Sequence, residues 1–210
     1  MPVRVHKNFD LGFSELMIWN AVESTGELVN LASNAGLTVN QTSFHLEKRL
    51  REWIIVQLLL HRMANGSTYS ALPNGKPVIS GGKHISISHC DRLAGLIISD
   101  QNIGIDIQNP NPTIEKISGR FCHPIELEFV QGTKRLNALT IIWSAKEAVF
   151  KYFGERVIFA QEIRIRPFNI EDDFVIADYH GLHGVYQFQI RLDKLEDFYI
   201  LFTNEVVMKS

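Results

Sequence analysis

The chain is poor in cysteine: Cys90 and Cys122 are the only two among its 210 residues. Neither stands in a C-x-x-C spacing, which removes a disulfide framework and a zinc knuckle from consideration and makes a reducing cytoplasm the expected setting. It has no long run of lysine or arginine, and its formal charge is only -2. A nucleic-acid binder working by bulk electrostatics is thereby excluded, and any anionic ligand must be held by a local site. No stretch approaches the roughly 18 uninterrupted apolar residues of a membrane helix, and the first residues lack the basic-then-apolar layout of a secretory leader. There is no internal repeat and no low-complexity segment. No Gly-x-Ser-x-Gly elbow occurs, and neither Gly75-Lys76 nor Gly81-Gly82-Lys83 has the spacing of a phosphate-binding loop. What remains is a chain with 45% hydrophobic residues, enough to bury a full core in one large domain or two of about a hundred residues each.

Read for organisation, the chain divides near Asn109-Pro110-Asn111-Pro112, and we place halves at residues 1–103 and 104–210. A helix is expected near residues 14–22, with Asp10 or Ser14 as its cap. From Ser43 to Met63, apolar residues at Leu46, Leu50, Trp53, Ile54, Leu58 and Leu60 fit a long buried helix that stops at Asn65-Gly66. Gly75-Lys76-Pro77 reads as a surface loop, since proline removes a donor and restricts its predecessor. His84 to His89 alternates as a strand. Leu93–Ser99 and Ile103–Ile107 read as a hairpin turning at Asp100-Gln101-Asn102. Helical patterns follow at about 113–119, 124–131 and 137–153, and the remainder from Ile163 to Val207 alternates as three or four antiparallel strands.

Two segments about forty positions apart concentrate the chemistry. In Gly104-Ile105-Asp106-Ile107-Gln108, period two places Asp106 and Gln108 on the same face of a strand. In Trp143-Ser144-Ala145-Lys146-Glu147-Ala148-Val149-Phe150-Lys151, helical spacing places Lys151 one turn beyond Glu147. Taken alone, each is ordinary: a strand-end aspartate and a salt-bridged helix anchored by a tryptophan. Together, two carboxylates on rigid elements are suited to hold magnesium and adjacent lysines to hold phosphate, which points to chemistry on a phosphate ester or pyrophosphate. His180-x-x-His183, flanked by glycines with no third ligand nearby, reads as a turn rather than a metal site.

In order, Gly75-Lys76-Pro77, Ile85-Ser86-Ile87-Ser88-His89-Cys90, Ile103-Gly104-Ile105-Asp106-Ile107, Arg120-Phe121 with Glu126, and Trp143-x-x-Lys146-Glu147-x-x-x-Lys151 resemble the 4′-phosphopantetheinyl transferases of the larger, surfactin-synthetase type. The resemblance runs from about Glu47 to about Phe159. It implies an α+β pseudo-dimer of two similar halves, each a small antiparallel sheet packed on a long helix, with coenzyme A and magnesium in the cleft between them and the halves meeting near residues 100–112. The implied reaction moves the 4′-phosphopantetheine arm of coenzyme A to a serine of an apo acyl or peptidyl carrier protein and releases adenosine 3′,5′-bisphosphate. Asp106 and Glu147 are the implied metal ligands, and Glu147 is also the implied base. Lys151 is implied to steady the charge on the phosphates and the leaving group. Arg51, Lys76, Pro77, Ser88, His89 and Lys146 are implied coenzyme contacts.

The chain departs from the family pattern at Gln108, where a second acid is frequent. An amide oxygen is a neutral ligand, so Gln108 and Glu126 stand as additional metal candidates. Cys90 stands where a serine is frequent, and neither cysteine is expected to react. Arg120, Lys134 and Arg135 are candidate carrier contacts. The expected partners are coenzyme A and a carrier of fatty-acid, polyketide or nonribosomal peptide synthesis, with no nucleic acid and no membrane, and the protein is expected to be a cytoplasmic monomer. The competing reading is a non-catalytic relative that binds coenzyme A or a carrier protein.

Overall fold

The computed structural model describes residues 14–40, 45–64, 67 and 69–209 in full and residues 3–9 by their backbone. The chain folds as two units, Met1–Asn102 and Ile103–Ser210. Each pairs an antiparallel sheet with a long helix, giving the mixed α and β class that the residue patterns imply.

Unit 1 contains β1 (Val3–Phe9), β2 (Ser14–Asn20), α1 (Thr25–Asn34), α2 (Glu47–Met63), β3 (Tyr69–Ala71), β4 (Pro77–Ile79), β5 (His84–Cys90) and β6 (Leu93–Ser99). Its sheet runs β1-β2-β6-β5-β4-β3. Residues 14–20 form a strand, not the expected helix. Leu16, Met17, Ile18 and Trp19 are all buried, and a short apolar run covered on both faces carries no period that separates strand from helix. Asp10 and Asn65-Gly66 lie outside the described residues. The α1 helix was not anticipated, although its start is written as Ser24-x-x-Glu27. The Ser24 hydroxyl accepts from Glu27 N, and the Glu27 carboxylate accepts from Ser24 N at 2.7 Å, a reciprocal cap. Leu50, Ile54, Leu58 and Leu59 of α2 pack with Met17, Trp19, Leu96 and Ile98 from the sheet.

The expected hairpin of 93–99 with 103–107 does not form. β6 lies between β2 and β5, with Ser88 opposite Gly95 and Ile18 opposite the same glycine. The strand that follows, β7 (Ile105–Gln108), pairs instead with the C-terminal strand of unit 2, Asp106 opposite Leu201. Apolar alternation identifies a strand but not its partner, and β6 already has both edges occupied. Pro77 opens β4 rather than lying wholly in a loop, at the first position of a strand where a missing donor costs least.

Unit 2 continues with α3 (Pro112–Phe121), α4 (Pro124–Phe129), α5 (Arg135–Phe153), α6 (Phe159–Glu162), β8 (Ile163–Ile165), β9 (Phe174–Gly181), β10 (Gly184–Leu195) and β11 (Phe198–Met208). The sheet order is β7-β11-β10-β9-β8. Asn111 caps α3 by accepting from Thr113 N, with Pro112 at the first helical position. Gly154, at φ 70, closes α5 in the left-handed conformation. The core places Leu139, Ile142, Ala145 and Val149 of α5 against Ile165, Ala177, Phe188 and Leu201 of the sheet.

Two contacts fix α5. Gly104, just before β7, approaches the helix so closely that a Cβ there would stand 1.9 Å from the Ala148 carbonyl oxygen. Its N–H donates to Thr203 Oγ1 at 3.0 Å and its carbonyl accepts from Thr203 N at 2.9 Å. At the other side of the helix Lys146 is fully enclosed. Its Nζ donates to Glu126 Oε2 at 2.7 Å and to the carbonyls of Phe121 at 2.8 Å, Ile163 at 3.0 Å and Phe159 at 3.1 Å. Glu126 is equally enclosed, accepting also from His123 N at 2.6 Å and, at Oε1, from Ile165 N at 2.6 Å. These placements correct two expectations: Lys146 faces the interior rather than a phosphate, and Glu126 spends its oxygens on the fold rather than on a metal. Burial pulls Lys146 below the ordinary lysine range while the Glu126 charge opposes that pull.

Two variants probe this arrangement. Lys146→Met should lower unfolding stability by about 3–5 kcal/mol in urea titration, because it strands a buried carboxylate; a lysine serving only a ligand would leave stability unchanged. Gly104→Ala should cost about 3 kcal/mol, at the upper end of overpacking effects, because its new Cβ meets helix backbone that cannot rotate away.

Candidate active site

In unit 2, the rigid approach of β7 to α5 brings together three of the anticipated residues. Lys151 Nζ donates to Asp106 Oδ1 at 2.9 Å and to the Ile105 carbonyl at 2.9 Å. The Asp106 side chain is 9% exposed and that of Lys151 23%, so the pair is only partly open to water. Glu147, one helical turn before Lys151, is half-buried. Burial first, and then the Asp106 charge, push its carboxyl up to about 7, and Lys151 partly offsets them. Gln108 is half-buried at the end of the same strand, with Oε1 accepting from Asn109 N at 3.1 Å.

Among the described residues, no group of three or more His, Cys, Asp or Glu side chains is arranged to share a metal ion. While the Gln108 amide oxygen accepts from Asn109 N, Asp106 and Glu147 each carry hard carboxylate oxygens here. Their mutual repulsion, visible in the raised Glu147, is what a bound divalent cation relieves, and the donor set suits magnesium with water completing its shell. The arrangement is chemically suited to take a proton near neutral pH through Glu147 and to present an ammonium through Lys151.

In unit 1 a concavity is lined by Lys48, Arg51, Glu52, His89 and Asp91 over an apolar floor that includes Ile55 and Leu93. Arg51 Nη2 donates to the Ala21 carbonyl at 3.2 Å. The Glu47 carboxylate accepts from the Thr25 hydroxyl, while Lys48 and Arg49 lie 3.8 and 3.9 Å from Glu52. Arg51 and His89, chosen from distant parts of the sequence, thus face one space. Ser88 does not join them: it is buried on the opposite side of β5, as neighbours on a strand must be. Lys76 and Pro77 lie outside that lining, with Lys76 N donating to Asn74 Oδ1 at 3.1 Å and Nζ to Asn102 Oδ1 at 3.4 Å. Lys48 was not anticipated; its position one turn before Arg51 and Glu52 on α2 was the available signal.

The remaining candidates have structural settings. Arg135 pairs with Glu115 at 3.2 Å and donates to the Val130 carbonyl at 2.6 Å, while Lys134 lies 3.9 Å from Glu171 and Arg120 is exposed. His183 stacks on Phe153 at 4.4 Å between ring centres. Burial, and the Glu126 charge after it, push the Cys122 thiol up to about 12, which keeps it protonated.

The raised Glu147 carboxyl has a definite consequence. Because its folded value lies above its ordinary value of 4.5, the native state holds a proton that the unfolded state releases, and the associated stability is lost as pH rises through about 7. Glu147→Gln should therefore exceed the parent's stability at pH 8 by up to about 3 kcal/mol, with the difference shrinking towards pH 5, as read by urea titration at both pH values.

Comparison with known proteins bears on the same segment. Residues 102–203 match the family model described as ACPS, the 4′-phosphopantetheinyl transferase superfamily. The chain is 30% identical over 84 residues to the 4′-phosphopantetheinyl transferase gsp of Aneurinibacillus migulanus, a match covering 39% of this chain and 35% of that protein. It is 36% identical over 86 residues to the enterobactin synthase component D of Salmonella typhimurium, covering 39% of this chain and 37% of that protein. The chain thus spans little more than a third of the length of these curated relatives. The carboxylate and lysine cluster of unit 2 lies inside the segment, residues 102–203, that matches the 4′-phosphopantetheinyl transferase superfamily.

Proposed function

We propose that the protein transfers the 4′-phosphopantetheine arm of coenzyme A to a serine hydroxyl of an apo acyl or peptidyl carrier protein, releasing adenosine 3′,5′-bisphosphate. The observation that carries this reading is the cluster of Asp106, Glu147 and Lys151 within the matched segment. In the reaction, the serine oxygen bonds to the phosphorus that bears pantetheine as the bridging P–O bond of the pyrophosphate breaks.

Glu147 takes the serine proton, directly or through a water. A carboxyl held at about 7 is matched to that task, being basic enough to accept the proton and still substantially ionised near neutral pH. Lys151 meets the charge that grows on the departing phosphate. Before any ligand binds, its Asp106 partner and the Ile105 carbonyl hold the ammonium beside Glu147. Asp106 and Glu147 would hold magnesium, which when bound supplies charge neutralisation to the pyrophosphate. Arg51 and His89, which line one concavity in unit 1, are the pair suited to the 3′-phosphate of the nucleotide. Lys76 and Pro77 would lie along the adenine and its phosphates. The competing reading, a relative that binds coenzyme A without turnover, draws on the neutral Gln108, whose oxygen is turned to Asn109 N.

Intact mass spectrometry of apo carrier proteins incubated with the protein, coenzyme A and magnesium separates the two readings. A magnesium-dependent gain of about 340 Da, one phosphopantetheine in phosphoester linkage, is expected. Retained coenzyme binding with no gain on any carrier would favour the non-catalytic relative. Asp106→Ala and Glu147→Ala should each lower turnover at least about a hundredfold, near 3 kcal/mol of transition-state stabilisation, with the fold retained. Lys151→Ala should lower kcat more than it weakens coenzyme binding; an effect confined to affinity would refute its role at the leaving group.

A further inference from the structure

We propose that Lys151 and a divalent cation compete for the Asp106 carboxylate, so that the lysine guards the site against cations until an anionic group draws its ammonium away. This rests on the proposed reading of Asp106 and Glu147 as a cation-binding pair. Lys151 Nζ is gripped at two successive strand residues, 2.9 Å from Asp106 Oδ1 and 2.9 Å from the Ile105 carbonyl oxygen. With 23% and 9% of the two side chains exposed, water screens this pair less than it would a surface ion pair.

A magnesium ion held by Asp106 would share that carboxylate with the Lys151 ammonium, and like charges so placed would repel strongly in partly buried surroundings. Among the described residues no group of three or more His, Cys, Asp or Glu side chains is arranged to hold a metal, so no third carboxylate of such a group offsets the added charge. Lys146, the other lysine of this part of α5, is locked to Glu126 in the core and takes no part. Lys151 has a flexible four-carbon stem and exchanges partners readily, whereas Asp106 is held in a strand. A pyrophosphate brings the ammonium a replacement partner, so anion and cation binding reinforce each other, and by linkage each strengthens the other equally.

Isothermal titration of the full chain with magnesium chloride, near pH 8.5 so that Glu147 is ionised, tests this with and without coenzyme A. Without coenzyme A, Lys151→Met should bind magnesium at least about tenfold more tightly than the parent. It should also gain less affinity from coenzyme A than the parent does, while Lys151→Arg, which keeps the charge, should behave like the parent. A merely structural lysine would not tighten metal binding when removed. Lys151→Gln drops the charge and retains hydrogen bonding, and it stands in if the methionine variant fails to fold. Equal or weaker binding by the charge-removing variants, with the parent still binding magnesium, would overturn the competition and leave the proposed cation pair intact. No magnesium binding by either protein, with or without coenzyme A, would overturn the cation pair and the competition together.

Discussion

The enclosed ion pair of Lys146 with Glu126 is the interaction on which the second unit depends. Four oxygens surround one ammonium, and they come from the end of α3, from α4, from α6 and from the first residue of β8. Enclosing a charge is costly unless every donor and acceptor is answered, and here the carboxylate is answered as well, by His123 N and Ile165 N. The pair therefore ties four short segments to α5, alongside the apolar contacts that Phe121, Leu127, Phe159 and Ile165 make in the same core. Trp143, three residues earlier, extends the same anchoring through an edge-on contact with Phe121, 5.0 Å between ring centres, and a tilted one with Phe159 at 5.8 Å.

Once α5 is held on that side, its next residue becomes useful. Adjacent helical positions are turned about a hundred degrees apart, so Lys146 faces inward while Glu147 faces the gap beside β7. The close approach of Gly104 sets how near β7 comes, and the two hydrogen bonds to Thr203 keep that strand in register with β11. Asp106 and Lys151 then meet at 2.9 Å. Positioning of this kind, with reactive groups on a strand and a helix whose backbones touch, leaves little freedom for the groups to drift.

The residue pattern foretold α3, α4 and α5 of unit 2 closely because their signals are local, and it missed the four-residue α6. Asn111 and Pro112 mark one start, and Gly154 marks an end. Strand and helix periods paired Asp106 with Gln108 and Glu147 with Lys151, but that the two segments share one site was implied by the resemblance; in the fold, Lys151 meets Asp106 across the strand and the helix. The residue pattern misjudged residues 14–20 and the partner of residues 105–108, since burial on both faces erases periodicity and strand pairing is decided by distant segments. Lys146 was misassigned for a related reason. A lysine beside a glutamate reads as solvent-facing or ligand-facing, and nothing within a few residues discloses that Glu126 and three carbonyls from elsewhere enclose it.

Three of the four acceptors around Lys146 are main-chain carbonyls, which every amino acid supplies. The chamber for the ammonium is thus specified by the path of the backbone more than by the identity of its walls. Phe121, Phe159 and Ile163 are free, as far as the ammonium is concerned, to be replaced by other residues that keep that path. The constraint on Phe121, Phe159 and Ile163 comes from their packing in the core and against Trp143, whereas Lys146 and Glu126 are fixed by their own charge and hydrogen bonds. A lysine of this sort behaves as a keystone, and an inactive variant at its position reports a lost architecture rather than a lost chemical step.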